Sequence, residues 1–361
     1  MRASRILVVL PSPAFGGAEA QSLQVARGFA TMGAHVAVAG EAHVLAAAGQ
    51  ALGPCQPLEA ALATDPDAPH RRNAPRQAAA LRPALARFRP EAALVCCPLP
   101  TAALGALEAL TAAGVPSLAV AHLVRHDWRV SEAERASVAG IRAGWAAVSA
   151  PTARRLEALL GLPWGRVAAV PNGLPPIPPA ASDRARFGLP PDVPVLLWLG
   201  RLDERKGAHL TPAVARRIAP GRVALAGEGP LRPMLAGLPG VHILGQVADV
   251  PALLASVDAL AMPTEHEGGV PLAVQEAARA RVPVIATHAA LEAWPDPGAA
   301  ARVVPRDAGA IAAAFRALLE DREGTAARVA RASSLVAEWD EARMIRRTAE
   351  LLLAEAAPCA A

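Results

Sequence analysis

The segment that most constrains the fold is a short apolar run followed by a basic loop, at residues 195–207 (VLLWLGRLDERKG). Val195–Leu199 shows no alternation of polar and apolar residues, which is typical of a strand buried on both faces of a parallel sheet. Such a sheet needs helices on each face, so this segment favours an α/β fold. Gly200 ends the strand, and an Ala-rich helical pattern starts at Gly207.

The loop between that strand and the helix predicts an anion site. Arg201 and Lys206 supply two cations, and a helix start would add backbone amides and the positive end of the helix dipole. Lys206 is the single lysine in a chain with 36 lysine and arginine residues. Its compact ammonium suits a point contact to a phosphate. A chance survivor of codon bias is the alternative, but the flanking strand, Arg201 and Gly207 favour phosphate binding.

Length and composition exclude several classes of protein. A chain of 361 residues suffices for two domains, and 53% hydrophobic with 19% charged residues indicates a folded chain. A net charge of +4 is too small to argue for nucleic acid, and 3% aromatic residues leave few stacking platforms for single strands. We therefore expect no nucleic-acid partner, and an anionic small ligand or a membrane surface fits the basic excess better.

The cysteines indicate a reducing compartment and no metal site. Cys55, the adjacent Cys96 and Cys97, and Cys359 form no CxxC motif and have no metal-ligand spacing. The apolar run at residues 6–10 is too short for a signal peptide, and no run approaches the roughly 20 apolar residues of a spanning helix. We expect a cytoplasmic protein, with peripheral contact at the inner face of a membrane as its only membrane association.

The first half of the chain repeats the strand, loop and helix order of βαβ units. Strands are predicted at residues 6–10, 35–39, 92–97, 117–121, 145–148 and 166–170, and helices at 18–32, 101–113 and 151–160. Gly16 and Gly17 lie in the loop after the first strand, where glycine lets the backbone approach a ligand closely. The pair is weak evidence by itself, because tight turns also need glycine.

His122 follows the predicted strand at residues 117–121. Open α/β sheets bind ligands at the carboxyl ends of their strands, so His122 is a candidate to orient a substrate hydroxyl or exchange a proton with it. A structural histidine held by hydrogen bonds is the equally open alternative.

Residues 68–90 hold a run of basic side chains with no acidic residue among them. The arginines are Arg71, Arg72, Arg76, Arg82, Arg87 and Arg89. A solvated loop and helix face is the simpler interpretation. A docking surface for anionic lipid is the sharper one.

A proline-rich segment divides the chain. Eight prolines fall within residues 171–194, against 35 in the whole chain, and this density is typical of a semi-rigid interdomain connection. The predicted domains are 1–172 and 195–340, joined by a linker at 173–194, with a last helix within 341–361. Strands are predicted again at residues 222–226, 241–244, 258–262, 283–287 and 302–304. A cleft between two such domains is the default ligand site.

The segment at residues 263–277 (PTEHEGGVPLAVQEA) is a second candidate binding loop, followed by a helix predicted to start near Pro271. An anion or sugar hydroxyls are expected to face its backbone at Gly268, Gly269, Val270, Pro271 and Leu272. Glu276 on the helix can accept two hydrogen bonds from a diol such as a ribose, although a surface glutamate is the alternative. The sequence GEGP at 227–230 lacks the third glycine of a dinucleotide fingerprint, so a nicotinamide enzyme ranks low.

Together these motifs resemble the retaining nucleotide-sugar glycosyltransferases of the GT-B fold, of the group 1, family 4 type. The similarity covers nearly the whole chain and includes GGAE at 16–19, VS at 148–149, PNG at 171–173, GRLDERKG at 200–207, AGEGP at 226–230 and LGQV at 244–247. The resemblance implies two Rossmann-like domains facing a cleft. It also implies an N-terminal acceptor-binding domain, a C-terminal nucleotide-sugar-binding domain and a last helix that crosses back onto the first domain.

The resemblance implies roles for the phosphate-binding residues. Arg201 and Lys206 would hold the donor diphosphate, and Gly17, beside Gly16, would approach it. The two loop glutamates of the family stand eight residues apart, whereas here Gly268 stands eight residues before Glu276, with Glu267 next to it. Either Glu267 contacts the donor sugar after a one-residue adjustment, or that role is vacant.

The remaining implied roles concern the nucleoside and the sugar. The backbone of Val247 would meet the base, Glu276 would bind the ribose hydroxyls, and His122 would lie beside the reacting sugar. The implied reaction transfers a sugar from a nucleoside diphosphate-sugar to an acceptor hydroxyl, with retention of the anomeric configuration. It would serve glycolipid, lipopolysaccharide or polysaccharide synthesis in a bacterium, on a saccharide or lipid-linked acceptor, and it needs no metal or other cofactor.

Two alternatives to this reaction stay open, and a third is disfavoured. A nucleotide-sugar epimerase on the same scaffold would work without an acceptor. A non-catalytic sugar-nucleotide-binding protein would accommodate Gly268 where an acid is expected. A phosphorylase of the pyridoxal type would need a cofactor lysine, and Lys206 is already assigned to phosphate.

Overall fold

The computed structural model describes residues 4–65 and 68–356 of a chain that divides into two compact units. The first unit combines Met1–Gly173 with Glu341–Ala361, and the second is Leu174–Asp340. Each unit is built on a parallel β-sheet with helices on both faces. The predicted α/β architecture is therefore confirmed.

In the first unit, the strands and helices alternate along the chain. The strands are β1 (Arg5–Leu10), β2 (His35–Gly40), β3 (Gln56–Glu59), β4 (Ala92–Cys97), β5 (Ser117–Ala121), β6 (Gly144–Ala147) and β7 (Val167–Ala169). The helices are α1 (Gly17–Thr31), α2 (Ala42–Ala48), α3 (His70–Phe88), α4 (Leu104–Ala112), α5 (Glu132–Gly140) and α6 (Ala150–Leu160). The sheet order is β3-β2-β1-β4-β5-β6-β7.

The second unit repeats this plan. Its strands are β8 (Val195–Leu199), β9 (Arg222–Ala226), β10 (Val241–Gly245), β11 (Ala259–Met262), β12 (Val284–Ala286) and β13 (Arg302–Val303), in the sheet order β10-β9-β8-β11-β12-β13. Its helices are α7 (Thr211–Ile218), α8 (Arg232–Leu235), α9 (Val250–Ala255), α10 (Leu272–Arg279), α11 (His288–Leu291), α12 (Pro297–Ala300), α13 (Ala308–Glu320) and α14 (Arg322–Ala337). A last helix, α15 (Glu341–Ala356), belongs to the first unit.

Strand β8 is buried on both faces, as its apolar run predicts. Val195 and Leu197 enter one hydrophobic cluster of the second unit, while Leu196 and Trp198 enter another. Successive side chains of a strand point to opposite faces, so the two clusters lie on the two sides of the sheet. The strand positions predicted in both halves agree with the structure to within one or two residues. Among the strands of the described residues, the prediction missed β3, a short edge strand in which Leu58 is the one buried residue.

The proline-rich segment packs onto the second unit and is not a separate linker. The Arg184 guanidinium donates to Asp258 at 2.8 Å and also to three backbone carbonyls of the segment, those of Pro190, Pro191 and Val193. Leu189 is 4% exposed within the hydrophobic core of the unit. One buried leucine and one arginine with several acceptors therefore fix a segment whose proline content predicts an extended connection.

The helix predicted to start at Gly207 begins four residues later. A 3₁₀ turn occupies Ala208–Leu210, and α7 starts at Thr211 with Pro212 in its first turn. Proline is compatible with the first turn of an α-helix, where its missing N–H has no partner to lose. The helix dipole is thus farther from Lys206 than the sequence suggests.

The cysteines described by the structure are buried thiols. Cys55, Cys96 and Cys97 form no disulfide, and burial raises the pKa of Cys97 to about 12. A thiol that stays protonated at neutral pH is a poor nucleophile. Cys359 lies outside the described residues. None of the helices in the described part of the chain is long and apolar enough to cross a bilayer.

Helices α3 and α4 approach each other closely at Gly105. A Cβ added to Gly105 would lie 2.2 Å from the carbonyl oxygen of Ala74, a backbone atom that cannot swing away. The N–H of Gly105 also donates to the buried amide of Gln77 at 3.1 Å. Only glycine therefore permits this helix contact.

We expect Gly105→Ala to lower the free energy of unfolding by about 2–3 kcal/mol, since the overlap outweighs the helix propensity gained with alanine. The matched control is Gly140→Ala, because a Cβ there meets nothing within 4 Å. That variant should leave stability unchanged or raise it by up to about 1 kcal/mol. Urea unfolding of the two variants measures the difference, and equal midpoints would contradict the close approach.

Candidate functional site

Two loops of the second unit leave neighbouring strands at the same edge of its sheet. Strands β8 and β11 pair in parallel, with Leu197 opposite Leu260, and the order of the strands along the chain reverses between them. In open α/β sheets the carboxyl ends of the strands at such a reversal form the ligand-binding crevice. The loop at residues 200–207 follows β8, and the loop at 263–271 follows β11.

Backbone contacts fix these two loops to each other. The N–H of Glu265 donates to the carbonyl of Arg205 at 2.9 Å. The Arg306 guanidinium donates to the carbonyl of Pro263 at 3.1 Å and to that of Glu204. Gly207 has a φ of +76°, and a Cβ there would lie 2.7 Å from the ring of Pro263. Arg306, which sequence reasoning missed, comes from a distant part of the chain, and no local pattern points to it.

Asp203 organises the basic loop from within. One of its carboxylate oxygens accepts the backbone N–H of Lys206 at 2.8 Å, and the other lies 3.3 Å from Nε of Arg201. The Arg201 side chain is 63% exposed, so its guanidinium remains accessible to a ligand. The sequence does contain a signal for Asp203. An aspartate three residues before Lys206 has the spacing at which an N-cap side chain accepts a backbone N–H.

Glu267 forms an ion pair with Lys206. The ammonium of Lys206 contacts Oε1 of Glu267, and the Thr264 hydroxyl donates to the same oxygen at 2.9 Å. Both charged side chains are largely shielded, with 20% exposure for Lys206 and 17% for Glu267. The structure therefore brings Lys206 into contact with Glu267, the acid that stands one residue before the position expected for it. Thr264, buried at 1% exposure, is a further residue that the sequence analysis did not identify.

The segment before α10 is held by a buried glutamine. The side-chain amide of Gln275 donates to the carbonyl of Val270 at 3.1 Å, and Val270 is 3% exposed. Pro271 has no N–H and forms the N-cap of α10, which starts at Leu272. The expected amide donors of this segment are thus limited to the other residues, Gly268, Gly269, Val270 and Leu272.

Glu276 is a half-buried acid on α10. Among the described residues, none donates a hydrogen bond to its carboxylate, and burial raises its pKa. Burying a carboxylate without a partner costs free energy, and such groups concentrate at ligand sites. This arrangement differs from the solvated surface glutamate that the sequence left as an alternative, and it suits a group that accepts hydrogen bonds from a ligand diol.

The loops after β9 and β10 extend the same edge. The N–H of Leu202 donates to the carbonyl of Glu228 at 2.9 Å, and the N–H of Gly227 donates to that of Gly245 at 2.7 Å. A Cβ at Gly229 would lie 2.4 Å from the carbonyl oxygen of Leu202. Val247 follows β10 by two residues and so lies at this edge of the sheet, partly buried.

In the first unit, Gly16 and Gly17 differ in their surroundings. Gly16 is the N-cap of α1, and its N–H donates to the carboxylate of Glu19 at 2.8 Å. Glu19 is 3% exposed and also accepts from the Ser12 hydroxyl. Gly17 starts α1, and a Cβ there would meet nothing within 4 Å. Gly17 therefore offers the more open backbone, while Glu19, whose spacing is that of a capping box, fixes the loop.

His122 lies at the carboxyl end of β5 with its ring largely enclosed. The backbone N–H of His122 donates to the carbonyl of Cys97 at 2.9 Å, and Nε2 of the ring is buried with no hydrogen-bond partner among the described residues. Burial lowers the pKa of His122 to about 4. The imidazole is therefore neutral at pH 7, which suits hydrogen bonding to a hydroxyl better than proton uptake. The alternative of a hydrogen-bonded structural histidine is not supported at Nε2.

Two family models match successive parts of the chain. The model described as Glycosyltransferase Family 4 matches residues 15–176, and the model described as Glycosyl transferases group 1 matches residues 193–321. The first lies almost entirely within the first unit and the second within the second unit. Both candidate loops of the second unit fall inside the matched segment.

A curated relative shares part of this sequence. The lipopolysaccharide core biosynthesis glycosyltransferase LpsE of Rhizobium meliloti is 37% identical over an alignment of 125 residues, and the match covers 32% of this chain. The matched stretch spans 35% of the length of LpsE.

Solved glycosyltransferase structures match over nearly the whole chain. HepE of Anabaena, in complex with UDP and glucose, has a TM-score of 0.78 at 19% identity and covers 96% of this chain and 99% of its own. A glycosyltransferase of Rickettsia africae also has a TM-score of 0.78, at 14% identity, covering 98% of this chain and 99% of its own. WaaG, a glycosyltransferase involved in lipopolysaccharide biosynthesis, has a TM-score of 0.72 at 16% identity, covering 96% and 99%.

These likenesses confirm the predicted GT-B fold of two Rossmann-like units. The two family models together match most of the chain, at residues 15–176 and 193–321. The chain belongs to the group 1, family 4-type glycosyltransferases.

Proposed function

We propose that this protein transfers a sugar from a nucleoside diphosphate-sugar to an acceptor hydroxyl, with retention of the anomeric configuration. The observation that carries the proposal is the pair of cations, Arg201 and Lys206, on a loop at the strand-order reversal of the second sheet. A diphosphate is the part of such a donor that two cations at this position suit. HepE has been solved with UDP, with UDP-glucose and with UDP and glucose, which supports the same donor class here.

In this proposal the cations act on the leaving group. As the bond between sugar and diphosphate breaks, negative charge develops on the diphosphate. Arg201 and Lys206 therefore stabilise the transition state more than they stabilise the bound donor. The acceptor hydroxyl attacks from the face that the diphosphate leaves and passes its proton to a phosphate oxygen. No protein nucleophile is required, and neutral His122 would orient a sugar hydroxyl by hydrogen bonding. With two cations on the leaving group, the reaction needs no metal cofactor.

Three further residues would contact the donor. Glu276 would accept hydrogen bonds from the ribose hydroxyls, since its carboxylate is half-buried and no described residue donates a hydrogen bond to it. The backbone of Val247 would meet the base, and that of Gly17 in the first unit the diphosphate. The acceptor would be a saccharide, free or lipid-linked, in cell-envelope synthesis. LpsE and WaaG, both named for lipopolysaccharide synthesis, support that acceptor class.

We also propose peripheral contact with an anionic membrane at the cytoplasmic face, through the exposed side of α3. Arg71, Arg72 and Arg82 are exposed on this helix. Successive turns of a helix bring residues 71 and 82 to the same side, because eleven residues are close to three full turns. Arg76 differs from them, since its guanidinium donates to the backbone carbonyl of Ala61 at 2.9 Å. Anionic headgroups would attract the arginines by about 1 kcal/mol each.

We expect Lys206→Ala to lower kcat/KM for sugar transfer at least ~100-fold, the size of one lost charge contact to a transition state. Steady-state assays with UDP-, GDP- and ADP-sugars, with saccharide acceptors, measure it. Arg205→Ala is the matched control, because Arg205 is an exposed neighbour of equal charge and should retain activity. A folded Lys206→Ala variant with near-normal transfer would refute the assignment. An epimerase would instead convert the donor sugar without any acceptor.

We expect Glu276→Gln to weaken nucleoside diphosphate binding about tenfold, because hydrogen bonds to a carboxylate are stronger than those to an amide. The same change should raise the stability of the free protein at pH 7.5. The raised pKa of Glu276 means that its contribution to stability is present at low pH and is lost as the pH rises through that pKa. Calorimetric titration and urea unfolding at pH 7.5 and 4 measure the two effects.

The control for this change is Glu320→Gln, at an exposed helix end. It should alter neither binding nor the pH dependence of stability. Unchanged nucleotide affinity in Glu276→Gln would place the ribose elsewhere.

We expect the protein to float with vesicles of phosphatidylcholine and phosphatidylglycerol, and not with phosphatidylcholine alone. Replacing Arg71, Arg72 and Arg82 by Gln should abolish flotation. The same number of charges removed from other exposed sites, Arg322, Arg331 and Arg346, should preserve it. No flotation at low salt, or equal loss in both triple variants, would remove the proposal of a docking surface on α3.

A further inference from the structure

The two cations proposed to bind the diphosphate are each paired with a carboxylate of the chain. Arg201 lies 3.3 Å from Asp203, and Lys206 contacts Glu267. The four side chains together carry no net charge. A diphosphate that enters this site therefore meets two cations that each already have an anionic partner.

The two pairs differ in how easily a ligand can use the cation. The Arg201 side chain is 63% exposed, and a guanidinium has five N–H donors, so Arg201 can bind a phosphate while it keeps Asp203. Lys206 is 20% exposed and Glu267 17%, and the ammonium is a single compact charge. A phosphate on Lys206 would come within a few Å of the Glu267 carboxylate, where like charges repel strongly in a shielded site.

Glu267 is held where it is by the loop around it. The Thr264 hydroxyl donates to Oε1 of Glu267 at 2.9 Å, and the Thr287 hydroxyl donates to the carbonyl of Thr264 at 2.6 Å. Thr264 is 1% exposed and Thr287 7%. The position of the acid is thus built by buried groups.

We propose that Glu267 is an internal competitor for the donor diphosphate. It occupies Lys206 in the ligand-free site and is displaced when the diphosphate binds. The displaced carboxylate is then free to accept hydrogen bonds from hydroxyls of the donor sugar. After transfer the ion pair forms again and favours release of the nucleoside diphosphate. This inference rests on the proposed function and adds to it the residue that sets selectivity between donor and product.

The selectivity follows from what each ligand gains. Free nucleoside diphosphate must break the pair between Lys206 and Glu267 and offers nothing to the released carboxylate. A nucleotide sugar breaks the same pair, but its sugar hydroxyls donate hydrogen bonds to the released Glu267 carboxylate. The competitor therefore weakens product binding more than donor binding.

The test measures UDP binding by calorimetry, with GDP and ADP run beside it, in the wild-type chain and in Glu267→Gln and Glu267→Ala. We expect UDP to bind about tenfold more tightly to both variants, the effect of about 1.4 kcal/mol from an ion pair that need not be broken. The preference for UDP-glucose over UDP should fall in both. The alanine variant covers the case in which the glutamine keeps a hydrogen bond to Lys206.

The matched control is Glu265→Gln, two residues away in the same loop. Glu265 is 51% exposed and lies 3.4 Å from His266, so this variant removes the same charge without touching Lys206. Its affinity for UDP should stay within twofold of the wild type. In the Lys206→Ala background, Glu267→Gln should give less tightening than in the wild-type background, because there is no ion pair to break and only the repulsion between phosphate and carboxylate is removed.

Unchanged or weaker UDP binding in folded Glu267→Gln and Glu267→Ala would overturn the competitor role and leave the proposed function standing. Equal tightening in Glu265→Gln would overturn it too, since general electrostatics would then account for the effect. If the wild-type chain binds none of UDP, GDP and ADP, the proposed function itself fails. Unfolding curves for each variant separate loss of fold from loss of binding.

Discussion

The parallel pairing of β8 with β11 is the constraint on which the candidate site depends. It sets two loops, separated by some sixty residues of sequence, at adjacent positions on one edge of the sheet. Loop contacts then fix their register, through the bond from Glu265 to Arg205 and through Arg306, which reaches both loops. The side chains of both strands are buried in the two hydrophobic clusters of the second unit. Exposing either strand to water would cost free energy, so burial on both faces keeps the two strands inside the sheet.

The fold could be predicted because its signals are local. A strand buried on both faces appears as a continuous apolar run, as in β8, and the alternation of such runs with helices specifies a parallel sheet. What sequence reasoning missed depends on partners far along the chain. The proline-rich segment packs on its unit because Arg184 reaches Asp258, and β3 forms at an edge with little apolar pattern.

The sequence indicates candidate members of the site but not how their side chains pair. Arg201, Lys206 and Glu276 stand in motifs, so their identity as candidates is visible in the sequence. That Glu267 contacts Lys206, and that Glu276 has no donor among the described residues, depends on distances that no spacing rule gives. In contrast, the hydrogen bond from the Lys206 amide to Asp203 follows a short-range spacing that the sequence itself shows.

The proposed competition between the Glu267 carboxylate and a donor phosphate would give a physical reason for the single lysine. An arginine beside Glu267 would form a bidentate pair with two parallel hydrogen bonds, and a ligand would have to replace both with the right geometry. An ammonium holds its partner as a point charge, which can pass from one anion to another without such a geometric requirement. The chain uses arginine for its other basic side chains. Its single lysine stands at the position where, in this proposal, the cation exchanges a carboxylate for a phosphate.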